Sequence, residues 1–123
     1  MQPAENLNVN ILCFKENWLL EAQMKDLNID YFRLVSNFSR NHSISGGSWI
    51  FIRNNIETKE VEYLKGLGEE KVFEISAAEL SDNDTILACI YRSPDSNFYE
   101  FLHKLELLIL KVSSKRKTFN SLR

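Results

Sequence analysis

Residues 71–92 read KVFEISAAELSDNDTILACIYR, and their pattern decides the class of fold. Side chains alternate along an extended chain, so over 71–80 Phe73, Ile75 and Ala77 share one face. Ser81-Asp82-Asn83-Asp84 is dense turn chemistry, because short polar side chains bond their own backbone and tolerate unusual dihedrals. Thr85 to Arg92 is again apolar and rich in β-formers, and the whole stretch predicts a β-hairpin with a four-residue loop. Ser93-Pro94-Asp95 then breaks the extended chain.

Working outward, the next element is a helix. Asn97 is a candidate N-cap, with Glu100 three residues on. Phe98, Phe101, Leu102, Leu105, Leu108, Ile109 and Val112 follow at helical spacing and form one apolar face, as in a helix packed on a sheet. Towards the N-terminus, Ser48 to Arg53 reads as a strand, preceded by a polar loop, 39–47, that ends in the conformationally tolerant pair Gly46-Gly47. From Ile29 to Phe38 the pattern alternates, with Phe32, Leu34 and Phe38 on one side and Tyr31, Arg33 and Val35 on the other. Residues 19–27 have the look of a short helix or helical turn. Residues 9–14 are a nearly continuous apolar run, which predicts a strand buried on both faces. Many strands and one long amphipathic helix predict a layered α/β domain.

Composition sets the bounds. The chain has 123 residues, 44% hydrophobic and 11% aromatic, enough for one domain with one core. With 26% charged residues and a net charge of −2, it lacks the basic excess of a non-specific nucleic-acid clamp. Lys115-Arg116-Lys117 is read as a solvated helix end, where cations are favoured anyway. Cys13 and Cys89 each lie in an apolar run, as buried free thiols do, and make neither a disulfide framework nor a zinc spacing. They point mildly to a reducing compartment. With no signal-peptide pattern and no apolar run long enough to span a bilayer, the expectation is a soluble, intracellular protein, nucleus or cytoplasm unresolved, with no membrane partner and no small-molecule cofactor.

Few residues stand out chemically. Glu16 follows the apolar run 9–14, and a carboxylate at a strand end suits a hard cation such as Mg²⁺. Tyr91-Arg92 closes another apolar strand, and a phenol beside a guanidinium can hold a phosphate. Taken singly, a loop glutamate and a strand-end tyrosine are commonly just solvated or packed. His42 and His103 read as exposed, and no nucleophile–base spacing or phosphate loop before a helix is present.

The order of these pieces resembles the endonuclease/exonuclease/phosphatase domain of non-LTR retrotransposons. Leu12-Cys13-Phe14-Lys15-Glu16-Asn17-Trp18-Leu19 is similar to that family's LC(L/F)TExWL segment. Gly46 to Arg53 is similar to its GGVxIFVR strand, and Ile90-Tyr91-Arg92-Ser93-Pro94 to its IYRPP. The helix bearing Phe98, Phe101, Leu105 and Leu108 is similar to its FxxxLxxLL helix. Together the four cover about residues 9–115. The resemblance implies a four-layer α/β sandwich of DNase-like type and Mg²⁺- or Mn²⁺-dependent nicking of target DNA. By motif it implies a metal-binding role for Glu16, contact of Tyr91 with the scissile phosphate, and a lesser role for its neighbour Arg92.

This sequence also departs from the family's pattern. Lys15 stands where the family has Thr. The family's first strand, its Gly-Asp-x-Asn strand and its Ser-Asp-His segment have no counterpart, and Phe119-Asn120 echoes the second only by coincidence. Residues 1–123 are therefore expected to be a single incomplete domain, lacking the first strand and the C-terminal catalytic half and inactive alone. The alternative expectation is a non-catalytic α/β interaction module that keeps only the ancestry. Neither a DNA target nor an oligomeric state can be read from the residues.

Overall fold

The hairpin forms as its pattern requires. In a computed structural model, described over residues 9–15, 29–40, 46–81 and 84–121 (side chains through 115), β5 (Glu74–Leu80) pairs antiparallel with β6 (Thr85–Tyr91) in unbroken register from Glu74 opposite Tyr91 to Leu80 opposite Thr85. Asp84 closes the turn at φ +50°, a conformation that Asp tolerates better than most residues. A short strand β4 (Thr58–Glu60) adds to the other side of β5, so this sheet has the order β4-β5-β6. Four residues, Glu62–Lys65, make a single turn of helix, α1, beside it.

The second sheet has the order β1-β3-β2, all antiparallel. Its central strand, β3 (Ser48–Arg53), is buried almost throughout. The edge strand β1 spans Ile11–Lys15, and here the structure corrects the expectation of a strand buried on both faces: Cys13 and Lys15 are exposed and the rest is half-buried, because β3 flanks it on one side only. On the other edge, β2 (Phe32–Phe38) carries a register shift between Leu34 and Ser36. Such a bulge inserts an extra residue and reverses the alternation beyond it. Phe32 and Leu34 accordingly face outward, while Ser36 faces the other sheet and Phe38 abuts Gly68 instead of joining them. The expected helical segment 19–27 lies outside the described residues.

The two sheets pack face to face. Ile50 and Ile52 of the first meet Ala78, Leu80 and Cys89 of the second, and beside them the seam turns polar. Ser48 Oγ lies 2.6 Å from Ser76 Oγ and donates to the Cys89 carbonyl at 2.7 Å, and Ser36 Oγ accepts from the Ala77 amide at 3.0 Å. Each buried hydroxyl is thereby satisfied, which such groups need to be tolerated. On its outer face the β4-β5-β6 sheet receives α2 (Phe98–Ser121). Asn97 caps this helix as expected, its Oδ1 accepting from the amides of Tyr99 and Glu100 at 2.9 and 3.1 Å. Phe101, Leu105, Leu108 and Val112 lie on Phe73, Ile75 and Ala77, with the rings of Phe73 and Phe101 5.5 Å apart. Phe98 and Ile109, assigned to the same face by spacing, stay 49% and 57% exposed. The other sheet's outer face is apolar too, built on Phe32, Trp49 and Phe51. Lys115 is exposed and lies over the Tyr63 ring at 5.4 Å; because α2 runs on to Ser121, the basic run 115–117 lies within the helix and not at the solvated end expected of it.

The architecture is thus mixed α/β, with two small antiparallel sheets and two helices among the described residues. No helix there is long and apolar enough to cross a membrane. Because Phe73 is fully buried between sheet and helix while Ile109 is not, their truncations should separate. Urea denaturation should show Phe73→Ala losing about 3–5 kcal/mol and Ile109→Ala well under about 1 kcal/mol.

Candidate functional site

Antiparallel pairing brings several chain ends together. Strands β1, β2 and β6 finish, and β3 and β5 begin, at the same end of the two sheets. Lys15 and Phe38 flank Ser48 in one sheet, Tyr91 sits opposite Glu74 in the other, and Ser48 bonds across to Ser76 and Cys89. Three of the four segments singled out in the sequence thereby end or begin here.

At the centre lies a residue that the sequence reading passed over, Glu74, whose side chain is fully buried. It projects from the face of β5 that meets the other sheet. Its Oε2 accepts from Arg40 Nε at 2.6 Å and from the Lys71 amide at 2.7 Å, and its Oε1 accepts from the Gly47 amide. Arg40, itself only 6% exposed, spreads its guanidinium 5.9 Å from the centroid of the Tyr91 ring. Gly46 and Gly47 turn at φ +89° and +94°. A Cβ on the first would strike the Arg40 guanidinium and on the second the Trp49 ring, so the pair is required by dihedral and by space alike. The sequence reading recognised the glycine pair's conformational tolerance. It had no way to find Arg40 and Glu74, which are 34 residues apart and become partners only when the sheets close.

Tyr91 is half-buried, opposite Glu74 and beneath Arg40. Arg92 is turned to a different task. Its Nε donates to Ser96 Oγ at 3.1 Å, its Nη2 donates to the Ser96 carbonyl at 3.2 Å, and its guanidinium lies 5.2 Å from the Phe98 ring centroid. It braces the turn that joins β6 to α2. In that turn Ser93 Oγ donates to Asp95 Oδ1 at 2.6 Å, and this bond, helped by the backbone and by Lys71 and Arg40 nearby, holds the Asp95 carboxyl below its ordinary range. Glu16 and His42 lie outside the described residues. Lys15, which precedes Glu16, ends β1 opposite Ser48. His103 is exposed on α2, which packs on the outer face of the sheet.

A hard divalent cation wants several oxygen ligands in one place. Among the described residues no three side chains of His, Cys, Asp or Glu converge, and both oxygens of Glu74 already accept hydrogen bonds. The described residues therefore do not by themselves form a metal centre. No protein-family model matches the chain, nor does any curated protein or solved structure.

A buried ion pair of this kind costs most when only one partner is removed. Glu74→Gln turns an amide donor towards Arg40 or Lys71, and equilibrium denaturation should show a loss of about 3–5 kcal/mol. Replacing Arg40 and Glu74 together by Met should recover much of it. In a separate NMR titration, Ser93→Ala should raise the Asp95 midpoint towards the ordinary carboxylate value, since the first cause of its depression is gone.

Proposed function

We propose that the chain is a non-cleaving part of a metal-dependent phosphodiesterase domain of the endonuclease/exonuclease/phosphatase type, the kind that nicks target DNA in non-LTR retrotransposons. The two facing sheets, with α2 on one outer face and an aromatic, apolar outer face opposite, are read as part of a four-layer α/β sandwich. One observation carries the proposal. The segment resembling IYRPP, the strand after Gly46-Gly47 and the strand leading to Glu16 meet at one end of the sandwich, around Tyr91. Motifs that share a site in an enzyme must share a place in its fold, and segments related only by chance need not.

In this proposal Tyr91 contributes one hydrogen bond to a phosphate oxygen, and Glu16 is the carboxylate that would face Mg²⁺ or Mn²⁺. Arg92 serves the turn after β6. Cleavage also needs a group to activate water and donors to stabilise the transition state, each typically worth orders of magnitude in rate. The family's Gly-Asp-x-Asn and Ser-Asp-His segments, which supply them, are absent from these 123 residues. A specific observation also favours the second reading, a non-catalytic interaction module: Arg40 and Glu74 are closed on each other and Arg92 on Ser96, so both arginines described at this end are already engaged.

Two measurements on folded protein test the proposal. A short DNA duplex titrated into labelled chain with Mg²⁺ should shift amide signals near Tyr91, Lys71 and Gly47, and Tyr91→Phe should weaken that response several-fold. Shifts scattered over the surface, or none, would leave the interaction module standing in its place. Supercoiled plasmid with Mg²⁺ or Mn²⁺ should remain uncut. Nicking that disappears in Glu16→Ala would show instead that the chain assembles a working centre.

A further inference from the structure

Cys13 and Cys89 were read from the sequence as two separate buried thiols, and the fold makes them neighbours. Cys13 lies at an inward-facing position of β1, opposite Ile50 on β3. Cys89 lies at an inward-facing position of β6, opposite Ser76, in the same cluster as Ile50. The seam between them is lined by small side chains, and the Ser48 hydroxyl bridges to the Cys89 carbonyl at 2.7 Å. The two side chains thus face the same seam beside Ile50, near enough for each to influence the other. Their surroundings differ sharply. Cys13 is exposed on an edge strand, and Cys89 is only 3% exposed.

We propose that Cys13 and Cys89 form a reversible redox pair, in which a small disulfide oxidant enters at Cys13 and Cys89 resolves it into a bond that staples β1 to β6. Glutathione disulfide illustrates the chemistry. The Cys13 thiolate attacks one sulfur of the oxidant, a mixed disulfide forms, and one glutathione leaves as thiolate. The Cys89 thiolate then attacks the Cys13 sulfur and expels the second glutathione. The protein loses two protons and two electrons, and one glutathione disulfide becomes two glutathiones. Exposure makes Cys13 the entry point, and the shared place of the two residues at the seam makes the second step intramolecular. The neutral-pH reaction is slow. Partial desolvation of its inward-facing side chain, and then the neighbouring Cys89, push the Cys13 thiol up to about 11, with Lys15 only partly opposing. At pH 7 about one thiol in ten thousand is ionised, and the first step accelerates about tenfold per pH unit above that. An intracellular disulfide of this kind is a transient, redox-responsive bond rather than a permanent framework.

The full chain, kept folded, should be incubated with glutathione disulfide at pH 7 to 9, quenched with acid and examined by intact mass and non-reducing peptide mapping. The expected product is a monomer about 2 Da lighter than the dithiol, with the Cys13 and Cys89 peptides joined, formed faster at higher pH and reversed by dithiothreitol. Cys89→Ser should stop at a single glutathione adduct on Cys13. Cys13→Ser should leave Cys89 unmodified until urea unfolds the chain. A stable adduct on wild-type Cys13 without the internal bond would overturn the proposal. Disulfide-linked dimers through Cys13, or a Cys89 that reacts as readily as Cys13 in the folded chain, would do the same.

Discussion

The carboxylate of Glu74 sits where water cannot reach it, and three separate stretches of chain are arranged around keeping it fully bonded. Desolvating a carboxylate is costly unless donors replace the water. Three donors do so here, from three separate stretches of chain: the Gly47 amide, the Lys71 amide and the Arg40 guanidinium. Each fixes something else. The Gly47 bond sets how the chain enters β3, the Lys71 bond sets how it enters β5, and the Arg40 bond ties the end of β2 to the opposite sheet. Glycine at 46 and 47 follows from the same constraint, because any side chain there would press on Arg40 or Trp49.

This interaction also explains which parts of the fold were legible in the sequence. The β5–β6 hairpin, the strand at 48–53 and the capped helix from Asn97 are specified locally, by alternation, turn residues and a cap, and the structure has them where the pattern puts them. Failures of the pattern have long-range causes. In β5 the alternation of Phe73, Ile75 and Ala77 with Glu74 and Ser76 resembles a strand with one wet face. Both faces are in fact dry, because Ser48 and Arg40 on the other sheet satisfy the polar set. In β2 the bulge at Leu34–Ser36 reverses the facing of Phe38, and no Gly or Pro in 29–38 announces it. Spans of three and four residues, such as β4 and α1, are shorter than the window over which any period can be recognised. The helical face of α2 was drawn wider than the sheet beneath it, leaving Phe98 and Ile109 outside.

The candidate site divides the same way. Tyr91 stood out because it ends an apolar strand, and the fold gives that position a setting, opposite Glu74 and under Arg40. Arg92 stood out for its charge, and the charge is spent on the turn it leads into, through Ser96 and Phe98. Adjacent residues at a strand end point to opposite faces of the sheet, so sequence adjacency was a poor guide to joint action. Arg40 carried no signal beyond being a cation before a glycine-rich turn, yet its guanidinium lies 5.9 Å from the ring of Tyr91, the proposed phosphate contact.

That closeness bears on what the site can do. A guanidinium with its Nε committed to a buried carboxylate is held in one orientation, which lowers the entropy lost when its remaining donors act. The same carboxylate cancels its net charge, so the pair attracts an anion far less strongly than a free arginine. A chain whose bulk charge is −2 and whose Arg40 at this end is already paired therefore draws nucleic acid weakly by long-range field. Under the proposed function, recognition of a phosphodiester would therefore rest on short-range geometry at Tyr91 rather than on long-range attraction. The Arg40–Glu74 pair thus serves as a rigid, charge-neutral platform beneath Tyr91, and the proposed non-cleaving role asks no more of it than that.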